Sequence, residues 1–466
     1  MNKPLFYRWL SSISLLLLLS ACAQTGQQPA LEQPADYSIA AGKTQIAVRS
    51  NWWLQLRDPF LNDLVSQALQ QSPNLKVATT RIEQMNAALG MADTAGKTQI
   101  GVHLSGASAY LTDKPESQRY DTRHSFTQGM LGLQGSWSFD FWGKNQALAA
   151  SALGKKHAAE YELAQAKLML AQAVVTQYAA WQNLDQQQLI LKKRLENAQE
   201  VEKLLSQRIR AELLPQNAVY PIQQTQIQLQ AQQQLMAGSI ANARHALSVL
   251  CGQVPSTLDN RTPRAAAAIP ILKTGRLRAD ILSRRPDIAA QKMLLSSRYQ
   301  NVQATKAEFY PNIEIKAFVG LSHIDAFDVL KGTSKFVGVL PALNLPIFTS
   351  GALQSKLTGK SAEYNEQVAR YNQTVLNALR DTADAVSGYQ IRKSELALQQ
   401  KAHELSKKQS ASILRRVNVG VENKLVYLQF QDDVLLQQAK VALSGAELMA
   451  AWGNVHAQLG GGFYQE

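Results

Sequence analysis

Apolar and polar residues along this chain switch between a helical period and a period of two, and they do so twice. Leu75, Ala78, Ile82, Met85 and Leu89 follow Pro73 at three- and four-residue spacing, which predicts an amphipathic helix. Ile100, Val102 and Leu104 then share one face of an extended segment, with His103, Ser105 and Ala107 on the other. On a return segment Leu131, Leu133, Trp137, Phe139 and Phe141 alternate with Gly132, Gln134, Ser136, Ser138 and Asp140. The arrangement recurs 213 residues later, where Arg285-Pro286-Asp287-Ile288 stands where Ser72-Pro73-Asn74-Leu75 stood. The second alternation sets Ile313, Ile315, Ala317, Val319 and Leu321 against Glu314, Lys316, Gly320 and Ser322, and returns through Val337, Val339, Leu343, Leu345 and Ile347. A repeat this long predicts one duplicated body, residues 51–270 and 271–466, whose units are completed by stacking against others.

Four strands are predicted, at about 99–111, 126–141, 312–323 and 335–347. Strict alternation over ~9–11 residues is the pattern of an outer-membrane barrel, with a soluble two-sheet sandwich as the competing reading. Four strands cannot close a barrel, since the smallest have about eight. An open sheet in lipid would leave edge groups unpaired at several kcal/mol each. Strands that enter a membrane in this chain therefore need strands from other subunits.

The remaining length reads as long helices. Leu163, Leu170, Val174, Tyr178 and Trp181 form a narrow apolar stripe, matched by Val368, Val375, Leu379, Val386 and Tyr389. Gln, Asn, Ala, Lys and Glu fill the other faces, as in coiled-coil walls exposed to water. Each stretch breaks once, at Glu212-Leu213-Leu214-Pro215 and at Val419-Gly420-Val421-Glu422-Asn423, which predicts hairpin turns at about 210–217 and 418–425. Because Glu212 stands where the other break has a glycine, the first turn is expected to take a different shape.

The N-terminus predicts an address. Lys3 and Arg8 precede the apolar run Leu10 to Leu19, and Leu19-Ser20-Ala21-Cys22 resembles the bacterial lipobox. Residues 1–21 read as a lipoprotein signal peptide, Cys22 as the lipidated first residue and 22–50 as a linker. Cys251 is then left without a partner, so no intramolecular disulfide is expected. No apolar run after residue 21 approaches the length of a membrane helix. The formal charge of +13 changes little, because the basic residues are scattered among Gln and Ala rather than gathered in a nucleic-acid-binding stripe. Gly42-Lys43-Thr44, Gly96-Lys97-Thr98 and Gly359-Lys360-Ser361 lack the upstream glycine of a phosphate loop, since Tyr37, Met91 and Gln354 hold that position. His403-Glu404 lacks a second histidine at Lys407. No enzyme, metal or cofactor is expected.

Taken in order, Asn51-Trp52-Trp53, Asp58-Pro59, Ser283-Arg284-Arg285-Pro286-Asp287-Ile288, Phe309-Tyr310-Pro311, Leu345-Pro346-Ile347-Phe348 and Leu459-Gly460-Gly461-Gly462 resemble the outer-membrane efflux factors of the TolC type, in their lipoprotein branch. The resemblance implies an α+β membrane protein: a trimeric 12-stranded β-barrel, four strands per chain, continued by a long periplasmic α-helical barrel. It implies a passive exit duct for drugs or other small molecules, with a homotrimer, a periplasmic adaptor protein, an inner-membrane transporter and outer-membrane lipid as partners. The turn residues Leu213, Leu214, Pro215, Gly420, Val421 and Glu422 would meet the adaptor. The resting constriction would lie just beyond the second turn. There Val426 and Gln429 replace the family's acidic residues, which leaves Leu425, Val426 and Tyr427, or a displaced acidic pair Asp432 and Asp433, as candidates. The alternative, a periplasmic adaptor or structural coiled-coil lipoprotein, would need a β domain between its helical arms, where residues 226–250 read as unbroken helix.

Overall fold

A computed structural model describes residues 29–35, 50–110, 125–264, 268–272, 284–323 and 335–461. The signal peptide, Cys22, most of the linker and the segments 111–124 and 324–334 lie outside the described residues. The helices are α1 (Pro59–Gln71), α2 (Pro73–Thr94), α3 (Lys144–Arg210), α4 (Tyr220–Leu250), α5 (Pro286–Ala307), α6 (Ala352–Asn418) and α7 (Lys424–Gln458). The strands are β1 (Gln99–Tyr110), β2 (Ser125–Phe139), β3 (Asn312–His323) and β4 (Lys335–Asn344). The duplication is visible in the lengths: α2 and α5 each have 22 residues, and α3 and α6 each have 67. At 1.5 Å per residue the latter span about 100 Å. No described helix is apolar enough over 18 residues to cross a membrane.

The chain divides into two compact units, and each draws on both halves of the duplication. The first contains the segment up to Pro34, Ile82–Ala158 and Gln291–Tyr371. Its four strands form one antiparallel sheet in the order β1-β2-β3-β4. The central pairing, β2 with β3, joins the two copies, with Leu133 opposite Val319. β4 ends at Asn344, because Pro346 has no N–H with which to continue a ladder. β2 ends at Phe139, where the next residue, Asp140, turns out of the sheet and accepts from Asn145 N (3.0 Å) and Gln146 N (2.8 Å) at the start of α3. The helices of this unit pack around Leu295, Val302, Leu357, Tyr364 and Val368.

The second unit contains Ala35–Arg81, Ala159–Ala290 and Asn372–Glu466. Its core gathers Trp52, Leu61, Val174, Tyr178, Trp181, Leu247 and Trp452. Two of the sequence signatures act as fasteners. Asp58 caps α1 by accepting from Phe60 N (3.0 Å) and Leu61 N (3.3 Å), and also accepts the Tyr178 hydroxyl at 2.7 Å. Arg285, buried, holds both oxygens of Asp287 (3.0 and 2.7 Å) and donates to the Gln458 carbonyl at 2.9 Å, tying the start of α5 to the end of α7. The duplication repeats a close approach here. Gly460, at φ +84°, lies so near the Arg284 carbonyl that an added Cβ would sit 2.5 Å from its oxygen. Gly252, at φ +72°, meets the Gln71 carbonyl in the same way at 2.4 Å.

Candidate functional site

Register across the sheet places like residues side by side. Val102, Leu133, Val319 and Val337 form one row, and Ile100, Gly135, Ala317 and Val339 the next. Among the described residues of the chain nothing covers these apolar side chains: Val337 is 81% exposed, Ile100 76% and Val102 71%. A sheet whose apolar face is left uncovered departs from a soluble sandwich, which would bury it, and matches a lipid-facing wall. Within the chain β1 and β4 are edge strands, paired on one side only.

The opposite face carries Gln134, Ser136, Glu314 and Lys316, but it is not purely polar. Phe318 and Phe336 stand on it with ring centroids 5.7 Å apart. Their seats are glycines: a Cβ on Gly338 would lie 2.5 Å from the Phe318 ring, and one on Gly320 would lie 2.7 Å from Phe336. The alternation alone did not reveal this pair; the glycines opposite each ring were its signal. Aromatics also band the helix end of the sheet. Phe139 lies between Trp137 (4.0 Å) and Phe141 (5.4 Å), and Trp142 stacks on Tyr310 at 4.6 Å while donating to the Pro311 carbonyl at 2.8 Å. Ile347 and Phe348, which follow β4 in the chain, are exposed. Such girdles mark the interfaces of membrane barrels.

In the second unit the two helical turns begin with the same closing bonds and then differ, as expected: a short 3-10 turn, Gln216–Val219, precedes α4, while α7 starts directly after its cap Asn423. Glu212 N bonds the Ile209 carbonyl and Leu213 N the Arg208 carbonyl, both at 2.9 Å. Gly420 N bonds Val417 (3.0 Å) and Val421 N bonds Arg416 (2.9 Å). Both are the paired-bond helix stop that places one residue in the left-handed region. Gly420 takes φ +77° and Glu212 φ +59°, so at the helix stop itself the glutamate adopts the glycine's conformation. Leu213 and Val421, one residue on, are exposed, as is Pro215, while Leu214 and Glu422 are half-buried. Glu422 pairs with Arg416 at 3.1 Å, and Arg208 reaches from the first turn to Asn423 Oδ1 at 2.9 Å.

Polar links fasten α7 to α3 along the shaft. Lys424 meets Glu200 at 2.7 Å and holds that carboxyl below the usual carboxylate range. Asn197 donates to the Leu428 carbonyl at 2.8 Å, and Gln187 to the Ala439 carbonyl at 2.8 Å. Between them Arg194 grips Asp432 with both arms, at 2.9 and 3.0 Å. Asp432 is thus engaged within the chain, and Asp433 is the carboxylate of that pair that stays exposed. Leu425, Val426 and Tyr427 are half-buried on the first turn of α7. The helix α4 runs unbroken from Tyr220 to Leu250, with no β domain between the arms. Cys251 is buried, donates its thiol to the Leu64 carbonyl at 3.4 Å, and is pushed up to about 11 by burial. Among the described residues no group of His, Cys, Asp and Glu is arranged to hold a metal.

An open sheet with an uncovered apolar face, girdled at one end and continued by 67-residue helices, defines an outer-membrane channel subunit. The chain belongs to the outer membrane efflux protein family, whose pattern matches residues 64–253 and 277–461. It is 29% identical over 418 residues to the multidrug resistance outer membrane protein MdtQ of Escherichia coli, covering 84% of each chain. It is 27% identical over 428 residues to MdtP of the same species, covering 89% of this chain and 87% of that one. Among solved structures it superposes on the outer membrane protein VceC of Vibrio cholerae with a TM-score of 0.78 and 26% identity, over 90% of this chain and 100% of that one. The CmeC outer membrane channel of Campylobacter jejuni shares the fold, with a TM-score of 0.81 at 21% identity over 94% and 95% of the two chains.

Proposed function

We propose that this protein is the exit duct of a tripartite export system for drugs or other small molecules, assembled as a homotrimer in the outer membrane. The observation that carries the reading is the sheet: four strands with an exposed apolar row and an unpaired edge at each side. Each backbone group left unpaired in hydrocarbon costs several kcal/mol, so two edge strands of 12 and 10 residues demand neighbours. Three copies supply them and give a 12-stranded barrel, with the Gln- and Ala-rich helices forming the periplasmic tunnel. A duct has no energy source of its own, so an inner-membrane transporter drives export and a periplasmic adaptor joins the two. The adaptor docks on the turns through Leu213, Leu214, Pro215, Gly420, Val421 and Glu422. Closure at rest falls to Leu425, Val426 and Tyr427 with Asp433, while Arg194 on Asp432 holds α7 against α3. A lipid on Cys22 adds a second hold on the outer membrane.

The test is cysteine pairing across the proposed seam. Single cysteines placed on the outer edges of β1 and β4, in a Cys22-intact, Cys251→Ala background, should cross-link into covalent trimers in outer-membrane fractions only when both edges carry one. Deletion of the gene should raise drug sensitivity, and complementation should restore it. A protein that stays monomeric in the outer-membrane fraction refutes the assembly.

A further inference from the structure

The pleat that gathers the apolar rows on one face of the sheet leaves a second, smaller apolar patch on the other. Across β3 and β4, two successive pairs on the polar face set Phe318 opposite Gly338 and Gly320 opposite Phe336. Gly132 of β2 lies opposite Gly320 in turn. Each ring crosses the neighbouring strand. A Cβ on Gly338 would meet three atoms of the Phe318 ring, at 2.5, 2.9 and 3.2 Å. Phe336 Cζ lies 2.7 Å from the Cβ position of Gly320 and 3.4 Å from that of Gly132. A ring upright on the sheet does not come that close to backbone on the next strand. Both rings therefore lie along the wall, one face on glycine and the other uncovered, and each is half-buried for that reason. Leu340 and Met130 share the face, with Leu340 56% exposed.

We propose that Phe318 and Phe336 form a contact site for planar aromatic cargo on the inner wall of the duct; this rests on the reading of the chain as an exit duct whose interior the polar face lines. Lipid does not account for the patch, because the apolar rows that would meet lipid lie on the opposite face. Subunit pairing does not account for it either, because pairing uses the backbone edges of β1 and β4. What the rings offer is an uncovered π face, which attracts the edge or offset face of another ring and any cation carried on it. Charge selects little here. Among the described strand residues of this face the titratable side chains are His103, Glu314 and Lys316, and Glu314 pairs with Lys316 at 3.7 Å. Gln134 lies beside Phe318 and Ser136 beside Lys316, so a flat molecule moving along this wall leaves amide and hydroxyl surface for an aromatic one. Rings that lie along the wall make this contact without narrowing the bore, so the site slows such a molecule and does not trap it.

The experiment records single channels of the full-length protein, purified from outer membranes, in planar bilayers. Ethidium is the planar aromatic probe, and tetrapropylammonium is a non-aromatic cation of the same charge. Wild-type channels should show brief partial blocks by ethidium. Their dwell time should be about tenfold longer than in Phe318→Leu with Phe336→Leu, where the side chains stay apolar but lose the π face. Tetrapropylammonium should act alike on both. Phe318→Tyr with Phe336→Tyr keeps the rings and should keep the wild-type dwell. Should the double leucine variant fail to assemble, Phe336→Leu alone should shorten the dwell about threefold. Conductance without probe separates the two ways of failing. A wild type that forms no channel overturns the duct reading and the proposal with it. A normal channel whose ethidium dwell is the same in wild type and leucine variants overturns the aromatic site alone. So does a tyrosine variant whose dwell falls to the leucine value, or a tetrapropylammonium block altered as much as that of ethidium.

Discussion

The paired glycines at the ends of α4 and α7 allow a comparison in which conformation is constant and only space differs. Gly252, Gly420 and Gly460 have φ of +72°, +77° and +84°. A side chain in the left-handed region costs an L-residue about 1–2 kcal/mol. At Gly420 nothing lies within 4 Å of an added Cβ, so Gly420→Ala should carry only that penalty. At Gly252 and Gly460 the Cβ would meet a backbone carbonyl oxygen at 2.4 and 2.5 Å, and a carbonyl cannot rotate aside. Displacing backbone to make room adds about 1–3 kcal/mol, as overpacking does. Gly252→Ala and Gly460→Ala should therefore each destabilise by roughly 2–5 kcal/mol. Gly460 also anchors the junction at which Arg285 holds Gln458, so its variant should loosen the start of α5. The assay is thermal unfolding of the purified protein in detergent at one fixed protein concentration, since assembly makes Tm concentration-dependent. The loss of Tm should be about 1.5- to 4-fold larger at 252 and 460 than at 420. A drop at Gly420→Ala equal to the others would refute the reasoning.

Other outcomes follow from single side chains. His456 is buried between Trp52, stacked at 5.3 Å, and Trp452, and burial lowers its pKa from 6.5 to about 4. The unfolded chain therefore binds a proton that the folded chain refuses, so stability is full above about pH 6.5 and falls toward pH 4 by up to ~1.4 kcal/mol per unit. Acid unfolding of His456→Leu should lack that component, and an unchanged pH slope would count against it. Replacing Glu212 with glycine should stabilise the first turn by about 0.5–1 kcal/mol without changing its bonds, read as a raised Tm. Breaking the two-armed pair by Asp432→Asn should loosen α7 from α3 and raise single-channel open probability several-fold, for a partly buried pair with a coupling of ~1–2 kcal/mol. A double-mutant cycle with Arg194→Gln that shows simple additivity would exclude coupling between the two. Native Cys251 should resist iodoacetamide at pH 8 and react only on unfolding, because its thiolate fraction is suppressed and its sulfur is covered.

Much of the architecture is local and was legible for that reason. Alternation at Ile100, Val102 and Leu104 assigns side chains to faces whatever the strand pairs with, because the pleat has a period of two. The narrow apolar stripe of Leu163 to Trp181 marks a helix whose other faces tolerate water. Asp58-Pro59 announces its own cap, and the breaks at 212–215 and 419–423 announce turns. The length of the alternating segments and their number, four, were enough to require subunits. The first turn does differ in shape, but through the 3-10 turn Gln216–Val219 rather than through Glu212, whose backbone bonds hold it in the glycine's conformation.

What the tertiary structure alone decided involves partners far apart in sequence. Whether β2 pairs with β3 depends on register between copies, and Leu133 meets Val319 across 186 positions. Asp432 reads as a free acid until Arg194, on another helix, takes both its oxygens. Arg285 and Gly460 appear as separate signatures until the fold brings the end of α7 onto the start of α5. The short segment 29–35 has no periodicity to announce it, since its bonds belong to Asn365 and Asn372. Periodicity encodes which way a residue faces; only the packed chain determines what it faces, because that depends on contacts no short window contains.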